Sequence, residues 1–297
     1  MSRVRRAKAG AVLAVAVLGI AVSAPLIAAT SAPAIAIAFW RTAAGAAAFA
    51  ALVASTTIRA RRCRPAKLSG GEARFASLAG LCLAGHFATW IPSLGLTTVA
   101  ASTALVCTQP VWATLIVRIT GVRIGPGVWT GSLIAVLGVL AMVGTDMESG
   151  RDALFGNALA LAGGLFGAGY VVLGQRARIT LDTARYNMLA FTTAAGALAA
   201  VAAATHTPLV GFTSSAWWGI AAVTLTGQIL GHALLNHSLK TIDATTVSTV
   251  ALLEVPAATA LAALFLAQYP PWVSLIGATL VAIGVALVIR SRPHLAS

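Results

Sequence analysis

Glu254 is a single carboxylate set about ten residues into an apolar run, Ala244–Ala267. Its neighbours on a helix face are Val247, Val250, Ala251, Ala257, Ala258 and Leu261, so no residue of its own run can pair with it. Small alanines leave room for another group to approach. An ionisable side chain in hydrocarbon costs at least a few kcal/mol unless it is paired or protonated. Two readings remain open: a site for a proton or a cationic substrate, or a buried, protonated structural acid.

Other polar side chains fall at helical spacing within apolar runs. Gln228, His232 and Asn236 follow one another every four residues and share a face, and His86, Trp90, Ser93 and Thr97 make a comparable stripe. Such stripes either line a cavity or hydrogen-bond across helices as structural ties. Gln109 stands beside Pro110, and Tyr170 follows the glycine run Gly163, Gly164, Gly167, Gly169. That run and Pro25 weaken two apolar segments as helices, which suits either breaks at a binding site or close packing through small residues. Arg41 lies about eight residues into its run, where its side chain can snorkel to the interface, make a structural hydrogen bond or meet a substrate carboxylate. Glu254, His86, Trp90, Gln109, Tyr170, Gln228, His232, Asn236 and Arg41 are the candidate substrate- and proton-binding residues.

These residues must be positioned by elements that live in lipid. Hydrophobic residues make up 59% of the 297-residue chain and charged ones 9%, too few to cover a water-soluble surface. Ten runs are long enough to cross roughly 30 Å of hydrocarbon as helices. They are Ala9–Ala29, Ala34–Ile58, Phe75–Leu96, Val99–Val117, Pro126–Gly144, Ala153–Gly174, Tyr186–Ala204, Ala216–Leu239, Ala244–Ala267 and Trp272–Ile289. Cys63, Cys82 and Cys107 have neither disulfide nor metal-ligand spacing, and no cofactor fingerprint is present. The stretch Lys67–Glu72 resembles the signature peptide of ATP-binding-cassette ATPases, but the phosphate loop that must accompany it is missing.

The sequence also repeats itself. At an offset of 146 residues Pro110 falls on Pro256, Gly131 on Gly277, Gly138 on Gly284, Ser102-Thr103 on Ser248-Thr249, and Gly85-His86 on Gly231-His232. The first half is residues 1–144 and the second 145–297. Five spans per half is an odd number, so the second half enters the membrane from the opposite side, as in the inverted repeats of secondary transporters. The repeat also argues that the first span is retained, although Arg3, Arg5, Arg6 and Lys8 before an apolar run could pass for a signal peptide. Sorting the twenty Lys and Arg residues over ten crossings puts eighteen on one side, which is then cytoplasmic along with both termini. The net charge of +13 therefore faces anionic lipid rather than nucleic acid.

Pro33 to Arg41, the segment Tyr170–Arg176, and the blocks Pro110…Gly131…Gly138 and Pro256…Gly277…Gly284 resemble the drug/metabolite transporter superfamily, EamA type, over nearly the whole chain. The resemblance implies ten helices, a cavity shared by two halves, and efflux of small metabolites, often amino acids. Two departures stand out. The acidic residue common nine positions before Gly131 and Gly277 is Val122 in one half and Gln268 in the other, and the family usually has an apolar residue where Glu254 stands.

The sequence thus predicts an all-α integral membrane protein of ten transmembrane helices in two inverted five-helix repeats, in a bacterial inner membrane. It is read as a secondary active transporter, a proton-coupled exporter of a small metabolite such as an amino acid or amine. A passive facilitator is the alternative, and an intramembrane enzyme using His86, His232 and Glu254 a weaker one. Its partners are a small-molecule substrate, protons and membrane lipid, with a homodimer left open.

Overall fold

The computed structural model describes residues 3–59, 70–143, 150–266 and 271–291. The basic cluster Arg61–Lys67, the acidic pair Asp146 and Glu148, Gln268 and most of the Tyr269–Pro271 turn lie outside them. The described residues form helices and no strand, as backbone in lipid requires. In chain order the helices are α1 Arg3–Ala21, α2 Ser23–Ala28, α3 Ala34–Arg59, α4 Gly70–Ser93, α5 Val99–Val106, α6 Gln109–Ile119 and α7 Pro126–Val143. There follow α8 Arg151–Arg178, α9 Thr183–Ala204, α10 Ser214–Val223, a π-helical stretch Thr224–Ala233, α11 Leu234–Ser238, α12 Ala244–Ala251, α13 Glu254–Leu266 and α14 Trp272–Arg290.

Among the described residues nine segments are long and apolar enough to cross a membrane, and Pro126–Met142 is a shorter apolar helix where the fifth of the ten expected spans falls. The outer surface carries Leu133, Leu137, Ile276, Ile283 and Trp218 exposed. In water such a surface would be an association hazard, and in lipid it is the ordinary one. The protein is a multi-pass membrane protein.

Three expected spans are interrupted, and the glycine-rich sixth, for which the sequence leaves a break and close packing both open, is not. The first breaks at Val22, three residues before Pro25, into α1 and α2. The glycine-rich α8 runs unbroken for 28 residues, so its glycines are packing sites. A Cβ on Gly163 would come 3.0 Å from Trp90 Cβ, and one on Gly164 3.0 Å from Thr108 Oγ1. The fourth span breaks instead at Cys107-Thr108, between α5 and α6, and the ninth at Leu252-Leu253, between α12 and α13. Pro110 and Pro256 sit just inside α6 and α13, where a missing N–H is tolerated because first-turn amides have no intrahelical partner.

The strongest packing pairs helices far apart in sequence: α4 with α8, α7 with α14, α3 with α9, and α4 with α9, followed by α1 with the π-helical stretch. Glycines set several of these contacts, and the contacts recur in pairs at the 146-residue offset. A Cβ on Gly85 would lie 2.8 Å from the Phe166 ring, and one on Gly231 2.8 Å from Ile20 Cγ1. Between α7 and α14, a Cβ on Gly131 would lie 2.7 Å from the carbonyl oxygen of Gly284, and one on Gly277 2.5 Å from that of Gly138. Without side chains these backbones come close enough for extensive dispersion contact, the main attraction available between helices in lipid.

Candidate functional site

The two broken helices meet in the middle of the bundle beside a cavity of about 430 Å³. That volume lies in the range of small-molecule sites. Its walls come from α1 and α2, α4, α5 and α6, α7, α8, the π-helical stretch with α11, and α12 with α13. Seven of the nine residues singled out from the sequence line it: His86, Trp90, Gln109, Tyr170, His232, Asn236 and Glu254. Most of the remaining wall is apolar.

Glu254 occupies the first turn of α13. The break at Leu252-Leu253 therefore places its carboxylate at a helix start, where the helix dipole favours negative charge. A continuous ninth helix, as expected from the sequence, would not offer this. Nor is the carboxylate without a partner: Cys107 Sγ, from the opposite break, donates to Glu254 Oε1 at 3.3 Å. No basic side chain forms an ion pair with it among the described residues.

Aromatic rings form one side of the cavity. His86 and Trp90 stack with centroids 5.6 Å apart and an interplanar angle of 20°. His86 and its offset mate His232 approach to 6.1 Å, and His232 meets Tyr170 at 5.8 Å. His86 Nδ1 lies 2.8 Å from the Gly163 carbonyl oxygen, which can only accept, so Nδ1 carries a hydrogen. A Cβ on Gly167 would lie 2.7 Å from Gln109 Oε1, so this glycine makes space for the amide that donates through Nε2 to Ser248 Oγ at 3.2 Å. Asn236 Nδ2 donates to Tyr170 Oη at 2.5 Å and to Asn187 Oδ1 at 2.6 Å. Asn236 is thus both a cavity residue and a tie between helices. Trp90 Nε1 and His232 Nδ1 are buried without hydrogen-bond partners among the described residues.

Arg41 and Gln228 do not line the cavity. Arg41 is fully buried, its Nε donating to Gln228 Oε1 at 3.1 Å and its Nη1 to Ser23 Oγ at 3.4 Å. Its guanidinium sits 4.3 Å over the Phe87 ring, and the side chain makes no excursion to the interface. Ser23 lines the cavity and is the neutral group between it and Arg41. The stripe Gln228–His232–Asn236 is divided because residues 224–233 wind with i→i+5 hydrogen bonds. The wider turn leaves His232 and Asn236 on the cavity and Gln228 on Arg41. His237 is exposed and contacts Thr183, well apart from His232. Cys107, Ser23, Thr103 and Ser248 line the site and were not singled out by sequence. Cys107 had a signal, since it precedes Thr108, the repeat mate of Glu254.

Residues 154–290 match the model of the EamA-like transporter family. The chain is similar to a solved structure titled "Crystal structure of protein", at 18% identity and a TM-score of 0.74, over 98% of this chain and 100% of that one. At that identity the similarity speaks for the fold. No curated protein matches the chain.

Proposed function

We propose, from the match of residues 154–290 to the EamA-like transporter family, that the chain is a member of that family and a proton-coupled secondary transporter. Its cargo in this reading is a small amine or amino acid, exported across a bacterial inner membrane with both termini cytoplasmic. The observation that carries the proposal is Glu254, a carboxylate facing a largely apolar cavity at the meeting point of two broken helices. Broken helices at corresponding places in two halves are the usual binding apparatus of secondary transporters.

The two halves, 1–144 and 145–297, are read as inverted five-helix repeats. The offset-related contacts support this: Gly85 with Phe166 mirrors Gly231 with Ile20, and Gly131 with Gly284 mirrors Gly277 with Gly138. A twofold relation generates such exchanged pairs. Alternating access is then the exchange of conformations between halves around the shared cavity. Glu254 holds either a proton or an ammonium, seldom both, and that exclusion is the coupling rule. The aromatic side formed by His86, Trp90, Tyr170 and His232 suits the apolar body of the cargo, and cation–π attraction adds to the hold on an amine. Gln109 and Asn236 supply hydrogen bonds.

The test is transport by purified protein in liposomes with an imposed pH gradient, using a panel of labelled amines and amino acids. The wild type accumulates a substrate uphill, whereas Glu254→Gln folds and exchanges it without accumulation. A Gln variant that concentrates substrate with the wild-type pH dependence overturns the coupling role of Glu254. Transport by the wild type that ignores the gradient identifies a facilitator instead.

A further inference from the structure

The contact between Cys107 and Glu254 has a chemical consequence beyond binding. Cys107 lies in the turn between α5 and α6, and Glu254 opens α13 after the break that follows α12. Their 3.3 Å contact is a side-chain hydrogen bond joining the two breaks directly, one from each half of the chain. The offset mates of the pair, Leu253 and Thr108, cannot reproduce it, because leucine has no donor. Thr108 is otherwise engaged, donating to the Leu105 carbonyl at 2.7 Å and accepting from Trp112 Nε1 at 3.1 Å. Among the described residues the hydrogen bond from break to break is therefore made once, at the carboxylate.

We infer that Cys107 is a positioning residue for Glu254, its thiol tying the two broken helices together while the carboxylate is ionised and loosening when the carboxylate takes a proton. The balance is simple. An ionised carboxylate accepts the S–H, and a charged acceptor makes that weak donor's bond considerably stronger. On protonation the new O–H sits on Glu254, the thiol keeps its own hydrogen, and the S–H is left facing a neutral acid. No other group changes its proton. The titratable groups sharing the cavity are His86 on α4, Tyr170 on α8 and His232 on the π-helical stretch. The linings from α1, α2, α6, α7 and α12 present none, α14 contributes no lining residue, and Arg41 lies behind Ser23. The inference rests on the reading of Glu254 as the proton site, but its test needs no substrate.

Infrared difference spectra of the full-length protein in lipid, taken through an acid titration, read both partners. A carboxylic C=O band that is absent from Glu254→Gln grows toward acid pH. An S–H stretching band that is absent from Cys107→Ala shifts with the same midpoint. In Cys107→Ala the carboxyl band reaches its midpoint at higher pH by roughly half a unit, the worth of one modest hydrogen bond. Cys107→Ser, which keeps a donor, restores it. An S–H band that stays fixed while the carboxyl band grows overturns the inference, and this reading needs no variant to fold beyond those that assign the bands. An unmoved midpoint in a folded alanine variant also overturns it. Failure of the liposome experiment alone, with these spectra as expected, would remove the transport role of Glu254 and leave the contact as described.

Discussion

Arg41 is enclosed by groups that carry no charge: Gln228 Oε1, Ser23 Oγ and the face of Phe87. A planar guanidinium fits that set because it can donate sideways while its face lies on the ring, and an ammonium cannot do both. Arg41→Lys therefore loses the stacking and leaves the Gln228 oxygen without its fixed donor. The expected cost is about 1–3 kcal/mol of stability, seen as a lowered thermal melting midpoint in detergent. A lysine variant that melts like the wild type would mean the cluster contributes little. Gln109 gives the opposite contrast. It is half-buried and makes one 3.2 Å bond to Ser248 while facing the cavity. Gln109→Leu should change melting by less than about 1 kcal/mol yet reduce transport of a substrate severalfold, read as initial rates in liposomes. Asn236 cannot serve for that test. It holds Tyr170 and Asn187 as well as lining the site, so its loss confounds folding with function.

At the scale of elements, the breaks matter more than the stripes. Apolar run length fixed where the helices begin and end almost throughout, because in lipid that length is dictated by hydrocarbon thickness. What run length could not show is where a run stops being one helix. Neither Cys107-Thr108 nor Leu252-Leu253 is turn-forming by type, and each break falls where a following proline removes an i→i−4 hydrogen bond and crowds the carbonyl four residues back. The signal lay just beyond, in Pro110 and Pro256, which recur at the 146-residue offset and sit in the first turns of α6 and α13. Pro25 did mark a nearby break, whereas the glycines of α8 marked close packing. Glycine in a helix costs about 1 kcal/mol, a loss that close helix packing in lipid can offset. The division of Gln228 from His232 was illegible because it depends on π-helical winding, for which residue type gives no rule. The α7–α14 contact is the clearest case of glycine packing. A Cβ on Gly138 would come 2.6 Å from the Gly277 carbonyl oxygen and 2.7 Å from the Val281 amide nitrogen, both backbone atoms that cannot step aside. Gly138→Leu should therefore separate the two helices and lower stability by about 1–3 kcal/mol, measured by loss of monodisperse protein on heating. Gly196, with nothing near its added Cβ, is the control: Gly196→Ala should leave stability unchanged or slightly raised.

For the molecule as a whole, the charges at helix ends bear on its orientation in the membrane. α6, α8 and α14 carry basic residues in their last turns: Arg118, Arg176 with Arg178, and Arg290. That alone is ambiguous, because the helix dipole favours cations at any C-terminus. The starts of α1, α4 and α9 resolve it. There the dipole opposes cations, yet Arg3, Arg5 and Arg6 stand at the start of α1, Arg74 near the start of α4 and Arg185 in the first turn of α9. Retention of cations on the cytoplasmic side, as the proposed orientation has it, would outweigh a dipole effect of some tenths of a kcal/mol. In the proposed orientation α1, α4 and α9 leave the cytoplasm and α6, α8 and α14 return to it, with Arg151 at the start of α8, beside Asp152, as the exception. That orientation predicts Thr120 on the cytoplasmic side and Ser214 outside; both are exposed. In a background without the native cysteines, Ser214→Cys should react with an impermeant thiol reagent added to intact cells. Thr120→Cys should react only after the membrane is opened. Labelling of position 120 from outside would reverse the orientation. Equal labelling of both positions from outside would mean that the chain inserts both ways, and a fixed direction of transport could not then be built on these charges.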